Sequence, residues 1–241
     1  MLIISSSLPF ETDLIVNKIN NRERLQLSRI SVYGGKFANK NLIIANLGLG
    51  KVNAASKTTL LLEHLHPDLF ILIGCGGAYK GTGLGIGDIA IADEEIYGDE
   101  GVLTPEGWQP LELIGIPLLQ KEQKKIYNSF SIDKKLVRDV GDLLRDYSPR
   151  IGHFVTVSTC TGSDRKADEM VQRFNGICEN MEGAAVAHIC LLYNVPFLEI
   201  RGMSNLVQDR DIRKWDLNRA AQNCQKAVLE VIKRICNLLN R

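Results

Sequence analysis

The sequence predicts a single α/β domain over residues 1–241, with a mixed, mostly parallel β-sheet flanked by helices. Short apolar runs typical of buried strands alternate with longer segments of helical periodicity. Glycine-rich turns follow two of the strand candidates, at the edge where sheets of this class bind ligands. The composition, 45% hydrophobic and 24% charged, is typical of a globular protein that can bury a substantial core.

The chain is predicted to begin with a short buried strand. Residues 2–4 are apolar and run into three serines, and a first helix is expected over residues 11–19. Residues 29–33 and 42–46 alternate or run apolar, and Gly34-Gly35 and residues 39–41 supply turn chemistry between them. These two segments are therefore predicted to form a β-hairpin.

A strand, turn and helix pattern follows the hairpin. The periodicity of residues 51–66 favours a helix that ends at Pro67, and the aliphatic run of residues 69–73 predicts a fully buried strand. Residues 86–93 are a further strand candidate. Residues 94–121 show no clear period and are expected to form a long functional loop or flap.

The second half of the chain again alternates between the two types of element. Helices are expected over residues 136–147, 166–174 and 181–193, and strands over residues 152–158 and 196–201. A long amphipathic helix is predicted at the end of the chain. Its apolar positions, spaced by three and four residues, are Leu217, Ala220, Cys224, Ala227, Val231, Ile235 and Leu238.

Charge and hydropathy exclude several classes of partner. The chain has 29 Lys plus Arg and 28 Asp plus Glu, and this net charge of +1 argues against binding to nucleic acid or anionic lipid. Its longest aliphatic run, residues 69–73, is far too short to cross a bilayer. The amino terminus lacks the basic segment of a secretory signal, so we expect a cytoplasmic protein that binds a small molecule.

The cysteines and histidines show no metal-binding pattern. No C-x-x-C pair occurs, and the four histidines are scattered along the chain. In a reducing compartment the cysteines are expected to be structural thiols. They are Cys75, Cys160, Cys178, Cys190, Cys224 and Cys236.

Polar side chains near the ends of predicted strands are the candidates for chemistry. Glu11 follows the first strand, and Ser204 and Asn205 follow the strand at residues 196–201. Glu182 opens a helix, where it could instead simply complement the helix dipole. Because the carboxyl ends of parallel strands meet at one edge of a sheet, these groups are expected to converge on one pocket.

Two glycine segments, residues 48–50 and 74–77, are predicted to turn directly after strands. Glycine lets backbone N–H groups approach a ligand, but it serves tight packing equally well, and both interpretations remain open. A dinucleotide site is not indicated, because Asn53 stands where the third glycine of G-x-G-x-x-G belongs.

The joint spacing of these blocks resembles the nucleoside phosphorylase and nucleosidase superfamily, which has the purine nucleoside phosphorylase fold. The likeness extends over nearly the whole chain. The segments that carry it are residues 48–55, 60–64, 74–77, 87–89, 181–185, 194–197 and 201–205.

Within this superfamily the sequence resembles the futalosine hydrolases, which belong to one menaquinone pathway, in residues 157–162 and 210–215 and at Asn205. The related methylthioadenosine/adenosylhomocysteine nucleosidases have an aspartate in place of Asn205 and an aromatic residue near Gly162. An asparagine can accept a hydrogen bond from a protonated purine N7 and donate one to a 6-oxo group. Asn205 therefore suits hypoxanthine better than adenine.

The resemblance implies hydrolysis of the N-glycosidic bond of futalosine by a homodimer or higher homo-oligomer, with no metal or organic cofactor. Glu11 would activate water, and Asn205 would stabilise the leaving base. Glu182 would hold the ribose hydroxyls, and Trp215 would face the 5′ substituent. The remaining substrate contacts are expected from Cys75, Gly76, Thr161, Gly162, Met181 and Ser204.

Several alternatives stay open from the sequence. Trp215 could instead pack as a hydrophobic staple at the start of the last helix. Trp108 is a candidate to close the pocket from the same or a neighbouring subunit. The candidates to bind a 5′ carboxylate are Arg210, Arg213 and the hydroxyls of residues 5–7.

Phosphorolysis, unlike hydrolysis, requires a cation that binds phosphate. Phosphorolysis needs Arg or Lys near the glycine turns, and Lys51 is the one open candidate there. A nucleosidase for methylthioadenosine/adenosylhomocysteine or aminodeoxyfutalosine is the alternative enzyme, followed by a purine nucleoside phosphorylase. A non-catalytic nucleoside-binding protein is the alternative from another class.

Overall fold

The computed structural model describes residues 1–121 and 123–235, in which helices pack around one large sheet. The strands of this part of the chain are β1 (Leu2–Ser6), β2 (Asn20–Leu27), β3 (Ile30–Phe37), β4 (Lys40–Asn46), β5 (Leu69–Tyr79), β6 (Ile89–Tyr97), β7 (Val102–Thr104), β8 (Gly107–Gln109), β9 (Leu119–Lys121), β10 (Lys124–Ile126), β11 (Ser129–Ser131), β12 (Arg150–Thr156), β13 (Gly176–Asn180) and β14 (Phe197–Val207). The α-helices are α1 (Asp13–Val16), α2 (Lys51–His64), α3 (Lys134–Leu143), α4 (Asp164–Phe174), α5 (Gly183–Leu192) and α6 (Leu217–Arg234).

The large sheet mixes parallel and antiparallel pairs, as predicted. Within the described residues ten strands join in the order β11-β6-β12-β13-β5-β1-β4-β3-β2, with β14 paired to β5 and β6. The apolar residues of β1 and the first half of β5 are buried, and helix α6 packs against β14 and β5. The α/β fold class with a mixed sheet flanked by helices is therefore confirmed.

Strand β14 closes a ring of five strands. It pairs in parallel with β5 and antiparallel with β6, while β6 pairs with β12, β12 with β13, and β13 with β5. Four of these strands contribute buried polar side chains that contact one another: Glu95, Thr156, Asn180, Glu199 and Arg201. Such a cluster is costly to bury unless its members are paired, so it marks a place where function constrains the core.

The glycines of residues 74–77 do not form the predicted turn, because they lie inside β5. They allow close approach by neighbours instead. A Cβ atom on Gly76 would lie 2.5 Å from Cys178 Sγ, and one on Gly74 would lie 2.6 Å from Glu11 Oε1. The predicted turn at Gly34-Gly35 is wrong as well, since both residues lie within β3 and the hairpin turns later.

Strands β2 and β13 are among those that the sequence did not predict, because their sequences carry little hydrophobic signal. β2 is mostly exposed and pairs only with β3, so this edge strand needs few apolar residues. β13 has five residues and follows α4 directly after Asn175. The helix predicted over residues 11–19 shrinks to α1, because the chain leaves it at Asn17 to enter β2.

The segment predicted as a flap is partly regular. β6 continues to Tyr97, and the β7–β8 hairpin follows it. The final helix α6 buries its predicted apolar positions from Ala220 to Val231, but Leu217 at its start is exposed, and Cys236 and Leu238 lie outside the described residues. None of the helices that the structure describes is long and apolar enough to cross a membrane.

Candidate active site

A cavity of about 210 Å³ lies where β1, β5, β13 and β14 bring polar side chains together. Nine of the ten predicted site residues line it. They are Glu11, Cys75, Gly76, Thr161, Met181, Glu182, Ser204, Asn205 and Trp215. Gly162 is the exception: its carbonyl accepts a hydrogen bond from the backbone N–H of Arg210 at 3.3 Å, so it supports the wall rather than forming it.

A larger and more open cavity of about 550 Å³ lies elsewhere, beside Asp93, Arg138 and His153. It contains none of the predicted site residues. Its polar groups include the pair of His153 Nδ1 and Asp93 Oδ1, 2.9 Å apart and both partly exposed. We assign the chemistry to the smaller cavity, because buried and converging polar groups are what a catalytic site requires.

Glu11 is held at the inner end of the cavity by the backbone. It ends the short 3-10 turn Pro9–Glu11, which follows β1. Its Oε1 accepts a hydrogen bond from the N–H of Cys75 and its Oε2 one from the N–H of Leu8, both at 2.8 Å. Burial raises the pKa of Glu11 above its ordinary value, and the positive charge of Arg201 offsets part of that rise. A buried carboxylate with a raised pKa is a suitable general base.

Glu182 faces the same space from the other side. It lies immediately before α5 and is 2% exposed. Its Oε1 accepts a hydrogen bond from the N–H of Gly50 at 2.9 Å, and its Oε2 lies 3.4 Å from an Nη2 atom of Arg201. The turn at residues 48–50 therefore orients this carboxylate.

Sequence analysis did not identify Arg201 as a cation of the cavity. The expectation of no cation beside the second glycine segment is wrong, because β14 runs next to β5 and places Arg201 opposite Gly74. No sequence spacing reveals that pairing. The charges of Glu199, Glu182 and Glu11 raise the pKa of Arg201 even though burial acts to lower it.

The donors of Arg201 are largely committed to other groups. Its Nε donates to Glu199 Oε1 at 2.8 Å, and its Nη1 donates to the carbonyl of Cys75 at 3.0 Å. Three buried carboxylates, those of Glu11, Glu182 and Glu199, thus surround one guanidinium. This end of the cavity favours positive charge in a ligand and opposes an anion.

Lys51 points away from this end of the cavity. Its ammonium group pairs with Asp99 at 2.7 Å and with Glu100 at 2.9 Å. Those two hydrogen bonds hold its pKa above the ordinary value although burial acts to lower it. Lys51 is therefore no substitute for a phosphate-binding cation.

The opposite wall carries the predicted base-recognition residues. Ser204 Oγ donates to Asn205 Oδ1 at 2.7 Å, and Asn205 Nδ2 donates to the carbonyl of Leu206 at 3.1 Å. One N–H and one lone pair of the amide remain for a ligand. The loop at Thr161 is fixed by Glu179, whose Oε1 accepts a hydrogen bond from the N–H of Thr161 at 2.9 Å. Glu179 also lines the cavity and was not predicted.

The outer end is formed by Arg210 and Trp215. The guanidinium carbon of Arg210 lies 4.6 Å from the centroid of the Trp215 ring, within cation–π distance. A smaller cavity of about 100 Å³ adjoins here and shares both residues with the main one. Ser7 also lines the main cavity, and its hydroxyl is buried with no partner among the described residues.

Some other candidates lie outside the cavity. The side chain of Arg213 is 86% exposed and pairs with Asp211. Trp108 packs edge-on against Phe174 and beneath Arg173, so it does not close the pocket within this chain.

Two of the cysteines lie at the cavity, whereas the sequence predicted a substrate contact for Cys75 alone. Cys178, Cys190 and Cys224 are buried thiols, but Cys75 and Cys160 line the cavity. Across residues 1–121 and 123–235, no three His, Cys, Asp or Glu side chains are grouped as ligands for a metal ion.

Comparison with known proteins assigns the chain to a family. The model of the phosphorylase superfamily matches residues 2–233. A 5′-methylthioadenosine/S-adenosylhomocysteine nucleosidase from an Exiguobacterium species is 29% identical over 231 residues, covering 93% of this chain and 94% of the relative.

Solved structures of the same kind are similar over the whole fold. The Neisseria meningitidis nucleosidase of that name, in complex with methylthio-immucillin-A, superposes with a TM-score of 0.83 at 26% identity, covering 96% of this chain and 98% of the other. The Streptococcus pneumoniae nucleosidase with a transition-state inhibitor also gives 0.83, at 25% identity, covering 98% and 100%. The chain therefore belongs to the phosphorylase superfamily.

Proposed function

We propose that the protein is a purine nucleosidase, which uses water to break the N-glycosidic bond between a purine and ribose. The observation that carries this proposal is the meeting of Glu11, Glu182 and Arg201 at one end of a cavity whose other wall presents Asn205. The nucleosidase names of its relatives support the same reaction class.

The excess of negative charge favours hydrolysis over phosphorolysis. Bond cleavage in such nucleosides develops positive charge on the ribose, and buried carboxylates stabilise that charge. Inorganic phosphate would have to approach Glu11 and Glu182 while Arg201 is already engaged by carboxylates. The sequence argument against phosphorolysis, a lack of cations near the glycine segments other than Lys51, is wrong because Arg201 is such a cation, so the case for hydrolysis depends on the carboxylates that surround it.

Each residue has a distinct part in the proposed mechanism. Glu182 holds the ribose hydroxyls and faces the positive charge that develops on the sugar. Glu11, kept in place by the N–H groups of Leu8 and Cys75, accepts a proton from the attacking water. The departing purine takes up a proton from solvent at N7, and Asn205 Oδ1 accepts a hydrogen bond from that N7–H, while the proton that Glu11 took from water returns to solvent.

The nature of the substrate is the finer question. The names of the similar proteins support a 5′-methylthioadenosine/S-adenosylhomocysteine substrate better than they support futalosine. We therefore place that substrate class first. A nucleoside with adenine and a neutral or zwitterionic 5′ thioether is the simplest member to test.

Futalosine is the second candidate, and residues in two parts of the cavity favour it. Asn205 matches a 6-oxopurine better than adenine, because its free N–H can donate to the oxo group. At the outer end, Arg210 offers donors to a carboxylate, while the Trp215 ring offers a surface to an aromatic 5′ arm.

Product analysis separates these possibilities. Purified protein is incubated with methylthioadenosine, adenosylhomocysteine, futalosine, aminodeoxyfutalosine and inosine, each with and without phosphate, and free base and sugar products are separated by chromatography. Phosphate-independent release of adenine or hypoxanthine from one of them, lost in Glu11→Gln, is the expected result. Formation of ribose 1-phosphate derivatives would contradict hydrolysis, and binding of all five without cleavage would contradict enzyme activity.

We also propose that the protein is a homo-oligomer, with a homodimer the simplest form. Large apolar side chains are exposed near the cavity side of α2 and in the segment after β6, including Val52, Leu103 and Ile116 at 84%, 83% and 70% exposure. Light scattering after size exclusion tests this. A monomer at micromolar concentration would contradict it.

A further inference from the structure

Two carboxyl groups that take no part in the proposed mechanism lie buried behind the active site. Glu95 on β6 and Glu199 on β14 are both fully buried. They meet at Gly183, where a Cβ atom would overlap both an Oε1 atom of Glu95 and an Oε2 atom of Glu199. Like charges so close and so far from water are strongly unfavourable, so the pair cannot be doubly ionised at moderate cost.

The hydrogen-bond partners distinguish the two members. Glu199 Oε1 accepts from Arg201 Nε at 2.8 Å, which favours the carboxylate form. Glu199 Oε2 is buried, and within the described residues its one available donor is the carboxyl group of Glu95. Burial and the charge of Glu199 raise the pKa of Glu95 well above its ordinary value.

Glu95 also reaches the segment that places Glu182. Thr156 Oγ1 donates to Glu95 Oε2, and Asn180 Nδ2 donates to Glu95 Oε1, both at 2.7 Å. The other atoms of these two side chains hold the start of α5. Asn180 Oδ1 accepts from the N–H groups of Glu182 and Gly183, and Thr156 Oγ1 accepts from that of Ala184.

The pair is therefore connected to Glu182 by two chains of hydrogen bonds. One route runs from Glu199 through the guanidinium of Arg201 to Glu182. The other runs from Glu95 through Asn180 to the backbone of Glu182. Both routes begin in the closed ring of strands, where the side chains have little room to rearrange.

We propose that Glu95 and Glu199 share one proton, with Glu95 the neutral donor and Glu199 the carboxylate, and that the pair is a positioning device for Arg201 and Glu182. A single negative charge on Glu199 fixes the guanidinium and balances it. Without that charge, Arg201 would act more strongly on Glu11. The catalytic part of this inference rests on the proposed nucleosidase function, whereas the shared proton does not.

The charged and titratable groups around the pair are few. Arg201 faces Glu199 from the same strand, Glu182 approaches it from the start of α5, and the Cys178 thiol lies close on β13. Burial raises the pKa of Cys178 well above its ordinary value. The thiol is therefore neutral, and Arg201 is the cation that defines the charge of the pair.

The shared proton is tested without any substrate. At neutral pH, the infrared difference between wild type and Glu95→Gln should show the C=O stretch of one protonated carboxyl group. Capillary electrophoresis should find that Glu95→Gln leaves the net charge unchanged. Glu94→Gln, at the neighbouring and partly exposed position on the same strand, is the matched control and should remove one negative charge. A missing carboxyl band, or a charge change in Glu95→Gln equal to that of the control, would overturn the proposal.

The positioning role is tested by kinetics. In Glu199→Gln, Arg201 loses its counter-charge and lowers the pKa of Glu11 further, so the acidic limb of the kcat/KM profile should move to lower pH. Its kcat should fall about 10- to 100-fold through misplaced carboxylates, with a smaller change in KM. Glu95→Gln still donates to Glu199 and should keep the wild-type limb, but its single amide oxygen can accept from only one of Thr156 and Asn180, so its kcat should fall less than that of Glu199→Gln.

The two single variants make the result decisive. Equal losses in both with unshifted pH profiles would indicate a merely structural role and overturn the positioning claim. If wild type cleaves no nucleoside, the proposed function fails while the spectra still decide the shared proton. If Glu199→Gln does not fold, the infrared spectrum and the net charge of Glu95→Gln still decide whether the proton is shared.

Discussion

The two ends of the cavity are built on different physical principles. At the inner end, Glu11, Glu182 and Arg201 are nearly fully buried, and each is fixed by backbone or side-chain hydrogen bonds. At the outer end, Arg210 is exposed and touches the face of Trp215. A rigid inner end suits the reaction step, whereas an open outer end can change with little cost to the fold. We propose that the inner end determines the reaction and the outer end the substrate.

Removing the proposed base is the most severe test of the inner end. Glu11→Gln keeps the shape and the acceptor for Cys75 but cannot take a proton. We expect kcat/KM to fall about 10²- to 10⁴-fold, measured as release of free purine from the preferred nucleoside. Normal turnover in this variant would refute the role of Glu11. Circular dichroism is the control that checks whether the variant folds.

Substitution of Arg201 should lower the free energy of unfolding much more than substitution of Arg210. Arg201→Met leaves Glu199 and Glu182 as buried charges without a counter-ion and should cost about 3–5 kcal/mol in the free energy of unfolding. Arg210→Met is the matched control at the exposed end and should change that free energy by less than about 0.5 kcal/mol. Denaturant titration measures both. Equal effects would remove the contrast between the two ends.

An effect of intermediate size is expected at the wall that carries Asn205. Asn205→Asp restores a group that can accept from the 6-amino group of adenine, so the preference for adenine over hypoxanthine nucleosides should rise. An unmatched buried donor or acceptor costs about 1–3 kcal/mol, which corresponds to about a 5- to 150-fold change in the ratio of kcat/KM values. Competition assays with paired adenine and hypoxanthine nucleosides measure this ratio. An unchanged ratio would show that Asn205 does not read the base.

The smallest effect is expected at the outer end. Arg210→Gln should raise KM about tenfold for a substrate with an anionic 5′ arm, because it loses a charge-assisted hydrogen bond. The same variant should leave KM for methylthioadenosine nearly unchanged. Arg213→Gln, three residues further along the chain and outside the cavity, is the control. A parallel rise for both substrates would assign Arg210 a structural role.

Sequence analysis reached the fold class and most of the lining residues because both depend on local patterns. The alternation of elements predicts the mixed sheet, and the blocks around Glu182 and Asn205 carry the family resemblance. It missed Arg201 because the role of that residue arises from the pairing of β14 with β5, which are far apart in the chain. It also mistook the glycines of β5 for a turn, since a glycine needed for close approach and one needed for turning are identical in sequence.

The Cys75 thiol bears on the design of inhibitors. It lines the cavity beside Glu11, and burial together with that carboxylate raises its pKa far above that of an ordinary thiol. Electrophilic warheads react with thiolates, so an acrylamide or chloroacetamide anchored here would meet an unreactive S–H group. The same property protects the enzyme from peroxide, which attacks the ionised form. Reversible, cationic sugar mimics are therefore a better choice of chemistry against this cavity than covalent capture.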